Sequence, residues 1–124
     1  MKDFITYKTY EFYSIKNNPE YLYVTASHLH RAWQIPFDEI TESMDRALMS
    51  DGVPQWYVLM ENGRLCGGAA VVEGDFAGES FTEPTLYGIH VASDLPQQEL
   101  KEFILKTVTE DMKNFGTGVK IKED

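Results

Sequence analysis

Two apolar runs rich in β-forming residues, Gln55–Met60 and Leu65–Val72, are separated only by Glu61-Asn62-Gly63-Arg64. Asn-Gly readily takes the left-handed backbone positions of a tight hairpin turn, so the two runs are expected to pair as antiparallel neighbours. Everything else in the chain has to be arranged around that pair.

Upstream, Leu22, Ala26, Leu29 and Trp33 recur at helical spacing, which predicts a helix that follows the Asn17-Asn18-Pro19 breaker and stops before Pro36. A second helix is expected from near Asp38, with Asp38 or Thr41 as its cap and an apolar stripe of Ile40, Met44, Ala47 and Leu48. Gly52 and Pro54 close it. The aromatic and β-branched stretch Phe4–Tyr13 reads as one terminal edge strand. Downstream, residues 74–84 hold turn formers and carboxylates and read as an exposed loop before a strand over Thr85–Val91.

The longest amphipathic pattern comes next: Leu100, Ile104, Val108 and Met112 repeat every fourth position between Pro96 and Asn114, with Ser93 or Asp94 as the expected cap. Gly116 and Gly118 end it, and Val119–Ile121 reads as a short last strand. A helix joining Thr85–Val91 to that strand predicts a right-handed parallel crossover. The order is therefore β-α-α-β-β-β-α-β, an α/β (α+β) domain with a mixed, mainly antiparallel twisted sheet and flanking helices. With 124 residues and no internal repeat or long linker, the chain is expected to be one domain, 1–124.

Charge and composition narrow the function classes. The formal net charge is -9, and the part from residue 51 onward is the more acidic, which disfavours a nucleic-acid ligand. No apolar run reaches the roughly 18 residues of a membrane span, and the first residues alternate, so neither a membrane role nor a leader is expected and a cytoplasmic location is the default. Cys66 is the only cysteine, which excludes an intramolecular disulfide and a cysteine zinc cluster. His28 and His30 are two apart on a predicted helix and point about 200° from one another, so they cannot share one ion, and no metal is expected.

Neither a Walker loop, a dinucleotide glycine fingerprint nor a Gly-x-Ser-x-Gly elbow is present. The carboxylates Glu73, Asp75, Glu79 and Glu83 could attract an amine or a cation, or simply solvate a loop. Glu83 and His90 flank a predicted strand with Tyr87 between them, and a carboxylate with an imidazole is a usable proton relay near neutral pH.

The run WYVLMENGRLCGGAAVVEGDF, followed by EPTLYGIHVASDLPQQELKEFILKTVTEDMKNFGTGVKI, resembles the second to fifth strands of the GNAT superfamily of acyl-CoA N-acyltransferases. The two preceding helices fit its first half. The small-residue strand Gly67-Gly68-Ala69-Ala70 and the segment LYGIHVASDL carry the likeness in detail. In that family the fourth strand hydrogen-bonds the pantetheine arm, and a loop of the form R/Q-x-x-G-x-G/A wraps the pyrophosphate at the next helix N-terminus, where backbone amides and the helix dipole neutralise phosphate.

The resemblance implies cofactor contacts at Val91, Ser93, Gln97 and Lys101, and catalytic roles for Glu83, His90 and Tyr87. An amine held near Glu83 or His90 would attack the thioester in the notch after Val91. The glycine positions of the loop fall on Glu99 and Lys101, however, and Glu99 is expected to set a negative charge beside the phosphates. Acetyl-CoA is therefore expected to bind weakly or not at all. The residues after Val119–Ile121 are too few for the family's last helix and strands, so that strand is expected to be an open edge, covered in a homodimer or by a protein partner. The two readings are an acyltransferase-related domain acting on an amine and a non-catalytic protein-binding or assembly domain on the same scaffold.

Overall fold

The computed structural model describes residues 4–122. A hairpin of β1 (Phe4–Tyr7) and β2 (Tyr10–Ser14) leads through a 3-10 turn at Pro19–Tyr21 into α1 (Leu22–Trp33) and α2 (Phe37–Met49). Then come β3 (Gln55–Glu61), β4 (Arg64–Phe76) and β5 (Glu79–Val91), followed by α3 (Gln97–Asn114) and β6 (Lys120–Ile121). The strands lie in chain order in one sheet, each antiparallel to the next except β5 and β6, which are parallel. The expected order of β3, β4, β5 and β6 and the crossover through α3 are thus what the fold adopts.

Strand alternation divides the core in two. β3 sends Trp56, Val58 and Met60 toward α1 and α2, and Tyr57 and Leu59 toward α3. On the α3 side, Leu100, Ile104, Val108 and Met112 are all fully buried, as their spacing predicts, and each contributes about 1.5–3 kcal/mol by leaving water. The small residues of β4 let backbone and helix come close. A side chain at Gly68 would meet Leu29 of α1 and the Tyr57 carbonyl.

Three expectations are corrected. Phe4–Tyr13 is not one strand, because Lys8 takes a left-handed conformation (φ 53°) and turns the chain back on itself. No glycine or asparagine marks that turn. Residues 74–84 are not a loop, because β4 and β5 continue as a hairpin closed at Ala77 (φ 54°) and Gly78 (φ 77°). Phe76 is buried against Trp56 and Tyr87, while Glu73, Asp75, Glu79 and Glu83 remain at the surface or edge of this ribbon. The helix caps also differ: Pro36 and Pro96 stand at the N-cap positions of α2 and α3 without a side-chain cap bond. Thr41 lies inside α2 and donates to the Asp38 carbonyl.

The close approach at Gly67 yields a first prediction. A Cβ there would collide with the carbonyl oxygen of His90, backbone against backbone, with no flexible side chain to yield. Gly67→Ala is expected to lower unfolding stability by about 3 kcal/mol, at the upper end for overpacking. Urea unfolding would show it as a lower midpoint at unchanged slope; an unaltered midpoint would mean that β4 and β5 can part there without cost.

Candidate functional site

β5 and β6 are paired only at Thr85 with Lys120 and Leu86 with Ile121. β5 then runs on to Val91, and beyond Leu86 its outer edge has no strand partner among the described residues. A cavity of about 530 Å³ opens at this parting, walled by Trp33 of α1, by Tyr87 and Gly88, and by Lys101 and Leu105 of α3. A second hollow of about 410 Å³ continues from it along Ile89, Gln97, Gln98, Lys101 and Leu105.

A β-bulge shapes the strand at this point. Leu86 pairs with Val71 and Gly88 with Ala70, so Tyr87 is an extra residue opposite the space between them. Leu86 faces α3, whereas Tyr87 packs on Trp33 at 5.4 Å between ring centroids, and Gly88 also meets the Trp33 ring. Both bulge residues therefore face α1. The extra residue reverses the alternation beyond it: Ile89 and Val91 pack toward α3, and His90 turns toward α1. In a regular strand His90 would share the face of Leu86.

On the α1 side His90 meets His28, with 4.9 Å between ring centroids. The Nε2 atom of His28 is buried without a hydrogen-bond partner. Both imidazoles are held below the usual histidine range. Burial is the first cause in each case, followed by the His90 ring and then Arg31 for His28, and by Lys101 for His90. Neutral rings near pH 7 can accept a proton. His30 is turned elsewhere, with Nδ1 2.6 Å from the Ile35 carbonyl, and no group of three or more metal-ligating side chains occurs among the described residues.

The remaining sequence-derived candidates fall into two groups. Gln97 folds back on the β5–α3 connection, donating from Nε2 to the Ala92 carbonyl at 2.7 Å. Val91 is buried toward α3, Ser93 is exposed in the connection, and Lys101 borders both hollows. Glu83 is exposed, seven residues before His90 on β5, and borders a different hollow beside Ser80 and Lys120. The structure thus brings His90 to His28, and Tyr87 to Trp33 and Lys122, whereas Glu83 borders a separate hollow that it shares with Lys122.

Glu99 is not turned toward the β5–α3 connection. Its Oε2 accepts from Tyr7 Oη and pairs with Lys8 Nζ, each at 2.5 Å, and these two partners hold its carboxyl below the usual carboxylate range. Lys8, Trp33, Lys122 and the pairing of His28 with His90 were not legible as site features in the sequence. Trp33 reads there as a core position of α1.

Solved structures share this architecture. The aminoglycoside N-acetyltransferase AAC(6')-Iy in complex with CoA superposes with a TM-score of 0.71 at 18% identity, covering 93% of this chain and 77% of that one. A predicted acetyltransferase with acetyl-CoA from Clostridium acetobutylicum gives 0.64 at 10% identity, covering 93% and 81%. A GNAT-family acetyltransferase from Streptococcus pneumoniae gives 0.64 at 13% identity, covering 90% and 74%. This chain has the GNAT fold. No protein-family model matches it, and no curated protein matches it in sequence.

Within this fold β5 is the strand that parts from its parallel neighbour β6 beyond Leu86. The outer edge of Gly88–Val91 lies open beside the hollow along α3. The phosphate loop is a poorer match. Pro96 lacks an amide hydrogen, and Glu99 and Lys101 stand at the positions where the resemblance leads one to expect glycine. The Tyr7 and Lys8 contacts offset the charge of Glu99 without opening the loop.

Proposed function

We propose that this chain is an N-acyltransferase that takes an acyl group from acetyl-CoA or a related acyl thioester and passes it to an amine. The parting of β5 from β6 beside a cavity carries this reading, with His90 two residues beyond the cavity-lining Gly88 on the same strand. The backbone of Gly88–Val91 would hold the thioester arm, with Gln97 bracing the connection and Lys101 the nearest cation of α3. Acetyl-CoA would supply an activated acyl group and a thiolate leaving group. His90, neutral near pH 7, would take the proton of the incoming ammonium directly or through a water, with His28 packed behind it. Tyr87, on the cavity wall, is the proposed donor to the departing thiolate. Glu83 would serve only in drawing amines toward the β4–β5 ribbon.

The glycine-free loop leads to a second prediction. Acetyl-CoA and S-acetylpantetheine, which lacks the nucleotide, should bind within about tenfold of each other, because little affinity can come from the phosphates. Calorimetry measures both constants, and at about 100 times its Kd either ligand should stabilise the fold by roughly 2.7 kcal/mol. Release of thiol in the presence of an amine panel tests the transfer itself. A hundredfold preference for acetyl-CoA would show that the loop grips phosphate after all. The same loop favours a second reading, a non-catalytic domain that binds a protein partner on this scaffold, and failure of both thioesters to bind would select it.

A further inference from the structure

The protein carries a net charge of -9, yet the charged side chains that line the 530 Å³ cavity are both lysines, Lys101 and Lys122. No carboxylate lines it among the described residues. The two cations stand apart in function. Lys101 lies on α3 and also borders the hollow assigned to the thioester arm, whereas Lys122 Nζ lies 5.0 Å from the centroid of the Tyr87 ring, on the α1 side. Trp33 and Tyr87, edge to face, form an apolar aromatic wall on that same side.

A cavity of this kind repels a polycation. We infer that the acceptor is an amine that carries its own carboxylate, an α-amino acid with an apolar, preferably aromatic, side chain, whose carboxylate is paired by Lys122 and whose side chain lies on Trp33 and Tyr87. The assignment rests on the acyltransferase reading above and extends it to a substrate class. A carboxylate already reaches this lysine, since Glu79 Oε2 lies 3.6 Å from Lys122 Nζ. Glu79 is about half exposed and its pairing with Lys122 is correspondingly weak, so an incoming carboxylate can displace it. The main-chain N–H of Lys122 donates to the Leu86 carbonyl, which fixes the residue at the cavity mouth whatever its side chain does. Opposite charge with a hydrogen bond in a partly enclosed site is worth tenfold or more in affinity, whereas an aminoglycoside would set several ammonium groups against two lysines.

The chain has two tryptophans, and Trp56 is fully buried with its indole N–H on Ser43, so of the two indole signals only that of Trp33 comes from the cavity wall. Phenylalanine, phenylalaninamide and an aminoglycoside would each be titrated against the intact chain, following the two indole signals by heteronuclear NMR. Phenylalanine should shift the Trp33 signal and bind at least about tenfold more tightly than its amide. Lys122→Met should bring that ratio close to one, and Lys122→Arg should preserve it. Equal binding of acid and amide, preference for the aminoglycoside, an unchanged ratio in Lys122→Met or no binding of any of the three would each overturn the assignment. Binding is read without catalysis, so the two readings fail separately. Phenylalanine bound with this selectivity but never acylated would remove the transferase reading, while acylation of amines without regard to carboxylate would remove only this one.

Discussion

Replacing His90 by glutamine is expected to lower acyl transfer by about 10²–10⁴-fold, the usual contribution of a positioned base, while leaving acetyl-CoA affinity within a small factor. The ring stands beyond the parting of β5 and β6, packed on His28, and burial keeps it neutral. The wild-type pH profile of kcat/KM should therefore hold level from pH 8 down past the ordinary histidine value of about 6.5 and fall only below it, as His90 gains its proton. In His90→Gln that acid limb should vanish. A rate within threefold of wild type, or a limb that persists, would remove His90 from the reaction and direct attention to Glu83.

The same lowered values have a consequence for stability. Both imidazoles bind a proton less readily folded than unfolded, so their contribution is fully present above about pH 6.5 and is lost as pH falls through the folded-state values. Acid should thus loosen the α1–β5 contact. His28→Gln with His90→Gln should flatten this part of the stability curve.

Trp56→Ala is expected to cost about 4 kcal/mol, within the range for emptying a large aromatic site. The side chain is fully buried, donates from Nε1 to Ser43 Oγ at 2.8 Å and packs against Phe76 and Trp33 at 5.7 and 6.2 Å between ring centroids. Truncation would remove the floor beneath Trp33 and leave Ser43, itself almost wholly buried, without its donor. Against a total of 5–15 kcal/mol for a domain of this size, that is a large share. Trp56→Phe should cost less, since a ring remains and only the indole bond and some volume go. Chemical unfolding of both variants checks the order, and equal losses would mean that the bond to Ser43, rather than the packing, sets the cost.

Much of the fold could be read along the chain because its signals are local. Asn62-Gly63 fixes the β3–β4 turn, and the four-residue repeat of Leu100, Ile104, Val108 and Met112 fixes which face of α3 is buried. The crossover from β5 through α3 to a parallel β6 follows from element order and chain handedness. Local reading fails where tertiary contacts override composition. The Lys8 turn carries no turn residue of its own, and its neighbours are held by Glu99, 92 residues beyond Tyr7. The carboxylate-rich 74–84 segment pairs as strands because Phe76 is buried beneath it.

For the site the division is sharper. The sequence by itself determined which chemistry is at hand: a histidine on the strand before the crossover helix, a tyrosine three residues earlier, and a loop without glycine. Only the tertiary structure decided which way these groups face. One extra residue at Tyr87 reverses the alternation and carries His90 from the α3 side to His28 on the α1 side, and no periodicity in a single strand records it. A bulge is defined by the register between two strands, so it exists only once β4 and β5 have paired.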